Sequence, residues 1–191
     1  KSFSGVVDNK IYIMGGWKEI TPFKYPLTQD SPTIHVTRPA DSWSTVTNMD
    51  TSLNLFSSVI DASKNFIYTI GGKISDIGTN LVQRYDMSNN SWSSMAPLDA
   101  SRGECMSVLV DQKIYTFGDD FGVNKGSVYD ISNNSWTDIV PNSGEFYSRS
   151  AGFIGAVNKK IYIIGGLTGL PTENILIGAY RWKCNEGTGN P

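Results

Sequence analysis

A chain of 191 residues with a formal net charge of -2, a pI near 5.3 and 18% charged residues lacks the basic footprint of a nucleic-acid or anionic-membrane binder. Aromatic residues at 12% and 19 glycines are the mixture of a turn-rich folded β protein rather than a disordered or coiled-coil one. No apolar run approaches the roughly 18 residues that a membrane-crossing helix needs, so direct membrane insertion is not expected.

The first apolar stretch, Phe3 to Val7, ends at Asp8-Asn9 and is followed by Lys10-Ile11-Tyr12-Ile13-Met14-Gly15-Gly16. Two short apolar runs joined by an Asp/Asn turn predict a β-hairpin, and the glycines end its second strand sharply. After a long loop come His35-Val36-Thr37 as a third strand and Trp43, after Asp41-Ser42, as the start of a fourth. The same plan returns with Ser58 to Ile60, a turn at Asp61 to Asn65, and Phe66-Ile67-Tyr68-Thr69-Ile70-Gly71-Gly72. Its third strand is Asn80 to Asp86 and its fourth begins at Trp92, after Ser88-Asn89-Asn90-Ser91. A third copy runs from Met106 to Val110, through Lys113-Ile114-Tyr115-Thr116-Phe117-Gly118-Asp119, to Gly126-Ser127-Val128-Tyr129-Asp130 and Trp136. The fourth runs from Phe153 to Val157 and through Lys160-Ile161-Tyr162-Ile163-Ile164-Gly165-Gly166. The first glycines stand at 15, 71, 118 and 165, which gives steps of 56, 47 and 47 residues, one supersecondary unit per step. Four short antiparallel strands cannot bury both of their faces alone, so such units stack radially as the blades of a propeller.

The Gly-Gly after an Ile-Tyr strand, the Tyr-Asp of the third strand (Tyr85-Asp86, Tyr129-Asp130) and the Trp seven residues beyond that Tyr resemble the Kelch repeat. The resemblance implies an all-β, Kelch-type β-propeller of four blades, near residues 1–50, 51–98, 99–143 and 144–182, with 183–191 as a polar tail. Each blade would carry four antiparallel strands. In the last unit Tyr180 matches Tyr85 and Tyr129, but Gly187 stands where Trp is expected, so its fourth strand is expected to be missing. Kelch propellers have about five to seven blades, and an arc of a larger ring, completed by further blades or another chain, is the expectation. A closed four-bladed ring is the alternative.

No constellation points to catalysis, a metal or a cofactor. His35 is the one histidine. The copper radical oxidases that use Kelch-like propellers need two His, two Tyr and a Cys bonded to one Tyr, which this chain cannot supply. A Ser-His-Asp or Cys-His arrangement would also depend on His35. Cys105, in an apolar run, reads as a small buried hydrophobe, and Cys184 as free or paired. Asp119-Asp120 reads as a pair of solvated loop charges, with a cation site as the lesser alternative. Gly165-Gly166-Leu167-Thr168-Gly169 lacks the lysine and the helix of a phosphate cradle.

Loops between second and third strands, and between blades, emerge on one propeller face around the central channel, where binding residues concentrate. The first such loop offers Trp17, Phe23 and Tyr25 stiffened by prolines, and later ones offer Phe121, Phe146 and Tyr147. In Kelch proteins that bind acidic peptides, the arginine just before a blade's first strand points to the channel mouth. By that resemblance Arg102 and Arg149 occupy the position, and guanidinium suits bidentate recognition of carboxylate. The other reading makes each arginine a brace between blades. Asn89-Asn90-Ser91 and Asn133-Asn134-Ser135 are glycosylation sequons at Asn89 and Asn133, and the Ser/Thr/Asn-rich composition leans toward an extracellular protein. The expected function is a non-catalytic module that binds a protein or peptide partner, acidic if the arginines serve it, through the channel face. Assembly through open blade faces, or sugar binding on the exposed aromatics, are the alternatives.

Overall fold

The computed structural model describes residues 3–8, 10–14, 35–37, 43–119, 126–139, 149–168, 179–183 and 189–190, and among them every regular element is a strand. Blade one holds β1 (Phe3–Val7), β2 (Lys10–Met14), β3 (His35–Thr37) and β4 (Trp43–Thr45) in that spatial order. Blade two begins with β5 (Ser57–Asp61) and β6 (Phe66–Ile70), continues through a separate small hairpin of β7 (Lys73–Ile74) and β8 (Ile77–Gly78), and ends with β9 (Val82–Asp86) and β10 (Ser91–Ser94). Blade three is β11 (Met106–Val110), β12 (Lys113–Phe117), β13 (Gly126–Asp130) and β14 (Ser135–Ile139). In the last unit β15 (Arg149–Ser150) precedes β16 (Phe153–Val157) and β17 (Lys160–Ile164), followed by β18 (Leu167–Thr168), β19 (Ala179–Lys183) and β20 (Gly189–Asn190). Blade four is the sheet β16-β17-β19-β20, with β15 paired to β18 beside it. All these pairings are antiparallel, as the repeat predicts.

The hairpin turns follow from residue type. Asp111 (φ 47°) and Gln112 (φ 61°), like Asn158 (φ 49°) and Lys159 (φ 58°), both lie in the left-handed region, the requirement of a two-residue turn that matches strand twist. Blade four differs from expectation at its outer edge. Gly189–Asn190 pair with Trp182 and Arg181, so the tail supplies a two-residue fourth strand without the Trp of the repeat. Pairing needs only backbone N–H and C=O groups, whereas the missing Trp removes a packing anchor.

In an antiparallel pair, directly opposed residues share a face. Val7↔Lys10 and Gly5↔Tyr12 therefore share one face of blade one, and Val6↔Ile11 and Ser4↔Ile13 the other. The first may be named the Tyr face and the second the Ile face. The Tyr face of blade one, through Val7, Tyr12 and Met14, packs on Ile67 and Tyr85 of the Ile face of blade two. The Tyr face of blade two, through Val59, Tyr68 and Ile70, packs on Ile114 and Tyr129 of blade three. The Tyr face of blade three, through Val110, Tyr115 and Phe117, packs on Ile161 and Ile163 of blade four. Ile67, Ile114 and Ile161 are each 0% exposed, and burying one such side chain contributes about 1.5–3 kcal/mol. The first strands lie innermost, with β1 against β5, β5 against β11 and β11 against β16.

In blades two and three the Asn-Ser-Trp segment clamps the blade to the exit of the blade before it. Asn134, at φ 54°, accepts hydrogen bonds at Oδ1 from the Tyr129 hydroxyl (2.6 Å) and the Ala96 amide (2.9 Å), and Trp136 Nε1 donates to the Ala96 carbonyl at 2.8 Å. Asn90 and Trp92 repeat this with Tyr85 and Thr47.

Candidate functional site

Because the four first strands lie innermost, the starts of all of them border one cavity of 460 Å³. Blade one contributes Ser4, blade two Phe56, Ser57 and Ser58, blade three Cys105, Met106 and Ser107, and blade four Ala151, Gly152, Phe153 and Ile154. The lining mixes hydroxyls with apolar groups and carries no charged side chain among these residues. Ser107 Oγ lies 2.9 Å from Thr116 Oγ1, while Cys105 Sγ approaches the Ile70 carbonyl at 3.5 Å. Burial pushes the Cys105 thiol up to about 12, against a smaller lowering by Arg102, so it is a neutral thiol at ordinary pH. Cys105 is thus the small buried group expected of it.

The rim is built from backbone. Leu55, Glu104 and Ala151 stand two residues before β5, β11 and β16, and all three are non-glycine residues with positive φ of 52°, 55° and 58°. They are linked in series, since the Glu104 amide donates to the Leu55 carbonyl at 2.9 Å and the Ala151 amide to the Glu104 carbonyl at 3.3 Å. Non-glycine residues held in that region cost about 1–3 kcal/mol each, which persists only where the surroundings over-determine the conformation. Here the neighbouring blade does so.

Arg102 does not reach the cavity. It is 0% exposed, its Nη2 donates to Ser127 Oγ at 2.8 Å, and Asp99 Oδ1 lies 3.6 Å from the same nitrogen. Its own amide donates to the Thr79 carbonyl, and its carbonyl accepts from Gly72 N–H at 2.7 Å. Backbone ties to blade two and a side-chain tie to β13 of blade three make it a brace between blades. The expectation that it points to the channel mouth is corrected accordingly: the guanidinium lies inside the interface, where the hydroxyl of Ser127, 25 residues on, accepts from it. Asp119 is likewise buried, at 3% exposure, not the solvated loop charge expected.

Of the other expected site residues, Arg149 has its backbone in β15, paired with Thr168, two residues before cavity-lining Ala151. Trp17, Phe23, Tyr25, Phe121, Phe146, Tyr147, Asp120 and Cys184 lie outside the described residues. Asn89 and Asn133 are exposed on their turns, and each Oδ1 accepts from the serine two residues on, at 2.6 Å for Ser91 and 2.7 Å for Ser135. Sequence reasoning missed the cavity serines. Ser4, Ser58 and Ser107 recur as the second residue of the first strand, an in-phase signal that alternation alone would have placed on one face.

Comparison with curated proteins finds no match to the chain. A family model described as the Kelch motif matches residues 62–98, from the turn after β5 through the end of blade two. Kelch motifs generally mediate protein–protein interactions. The chain carries a Kelch motif in blade two, and its all-β antiparallel sheets are those of a partial β-propeller.

Proposed function

We propose that the chain is a non-catalytic interaction module that holds a segment of a partner protein at the mouth of the axial cavity, with an uncharged side chain of that partner entering it. The observation that carries this reading is that all four blades line one 460 Å³ cavity, a size within the usual range of ligand pockets. A partner segment seated there touches every blade at once. Serine hydroxyls can orient it, and Phe153, 66% exposed, and Phe56 offer apolar contact. A neutral, desolvated thiol at Cys105 is a poor nucleophile, which favours binding over chemistry.

In this reading Arg149 and the loops bearing Trp17, Phe23, Tyr25, Phe121, Phe146 and Tyr147 extend the contact around the mouth, and blade boundaries fall near residues 50, 98 and 143. An acidic partner would depend on Arg149, since Arg102 is enclosed. The test places a photo-crosslinking side chain at Ser4 or Ser58 on the cavity, and at exposed Ser94 on β10 as control. Adducts to a common partner from the first two and none from Ser94 are expected. Adducts from Ser94 alone refute the reading. Arg149→Ala then decides the charge-based version, which predicts weaker binding with a shallower salt dependence. We also propose Asn89 and Asn133 as glycan acceptors when the chain is secreted, read out as a glycosidase-sensitive mass shift lost in Asn89→Gln with Asn133→Gln.

A further inference from the structure

The three blade interfaces share one rule, a Tyr face laid on the Ile face of the next blade, and the two outermost faces present the unused halves of that same interface. On blade one the uncovered half is an Ile face. Ile11 is 40% exposed although its counterparts Ile67, Ile114 and Ile161 are 0% exposed, and Val6, opposite it in the register, is 67% exposed. On blade four the uncovered half is a Tyr face. Ile164 is 44% exposed where Ile70 is 0% and Phe117 is 1%, and Val157 is 61% exposed where Val110 is 8%. The two faces do not cover each other, since both remain open in the same molecule.

We propose that these faces are the two halves of a head-to-tail interface through which a second copy of this chain docks, its blade one on blade four of the first. What fits a Tyr face is shown three times within the chain, and the matching Ile face that lacks a neighbour among the described residues is the one the chain itself presents on blade one. Such an interface is heterologous: each copy uses a different face, so copies can continue in the same sense until geometry closes or stops them. Exposed apolar patches of this kind mark interaction surfaces on folded domains. The two surfaces share an edge, since Ser4 lies on the Ile face of blade one and Phe153 on the Tyr face of blade four, so the test charges are placed at Val6 and Val157, which do not line the cavity.

The test uses two variants of the full chain, Val6→Asp and Val157→Asp, each placing a charge on one half at a position already more than half exposed. Circular dichroism and thermal melting check that both fold as the unmodified chain does. By size-exclusion chromatography with light scattering and by sedimentation equilibrium, the unmodified chain is expected to self-associate with increasing concentration. Each variant alone should associate about tenfold or more weakly, because every junction would include one spoiled half. An equimolar mixture should regain association but stop at one heterodimer, since the Val6→Asp copy retains an intact blade four and the Val157→Asp copy an intact blade one. A mixture that stays monomeric, or a variant that associates like the unmodified chain, overturns the proposal. An unmodified chain that stays monomeric at all concentrations overturns it too.

Discussion

Gly71 and Gly165 are the same position of the repeat, the first glycine after the second strand, yet alanine should cost far more at one than at the other. Both have positive φ, 60° and 68°, so both substitutions carry the left-handed penalty of an L residue, about 1–2 kcal/mol. At Gly71 an added Cβ would also stand 2.3 Å from the carbonyl oxygen of Arg102, in the segment leading to blade three. That carbonyl cannot retreat freely, because it accepts the Gly72 amide at 2.7 Å and belongs to the Arg102 brace. Relieving the overlap adds about 1–3 kcal/mol by the usual cost of overpacking. Around Gly165 no described residue comes within 4 Å of the added Cβ. The expected losses are therefore about 2–5 kcal/mol for Gly71→Ala and about 1–2 kcal/mol for Gly165→Ala. Urea unfolding followed by tryptophan fluorescence, below the concentration of self-association, measures both, and comparison requires that the slope with denaturant stay constant. Equal losses, or a larger loss at Gly165, would refute the account of the glycine pair as the point where one blade's turn meets the next blade's entry.

Four further outcomes follow from the same contacts. Arg102→Ala should lower the melting temperature, with a loss of about 1–3 kcal/mol from the buried guanidinium contact to Ser127 that it removes; an unshifted melt would restore the surface role. Asn134→Ala should destabilise by about 1–3 kcal/mol through the lost Tyr129 and Ala96 hydrogen bonds, while Asn133→Ala, which loses only the bond from Ser135 within the turn, stays within about 0.5 kcal/mol. Burial raises the Tyr85 and Tyr129 hydroxyls from 10.0 to about 12, so the folded chain holds those protons longer than the unfolded one. Their contribution is present below pH 10 and is lost as pH rises toward 12; denaturation midpoints that are flat across that window, or ultraviolet titration at the ordinary tyrosine range, would contradict it. The Cys105 thiol, raised from 9.0 to about 12, should resist an aromatic disulfide reagent in the native chain and react fully in urea, and rapid native labelling would show the cavity floor to be open to solvent.

Much of this architecture could be read before any coordinates. A two-residue alternation, an Asp/Asn turn and a glycine stop are decided within five to seven neighbouring residues, and they located the four-stranded sheets of blades one to three, though not the β7–β8 hairpin, which lies where a loop was expected. The tryptophans were recognised as strand starts, but their role as clamps was not, because the Ala96 carbonyl that Trp136 holds lies 40 residues earlier in the chain. The short β20 escaped notice for a different reason: Gly189–Asn190 pair through backbone alone, and no side-chain pattern announces that.

The repeat and its period belonged to the sequence by itself, because local sterics and alternation repeat wherever the residues do. Tertiary structure alone decided which way Arg102 turns, which serines face the axis and which of four equivalent isoleucines is left uncovered. Each of those depends on what stands across a blade interface. Ile11 and Ile67 sit in nearly the same local sequence, and one is 40% exposed while the other is 0% exposed because a blade packs against only one of them.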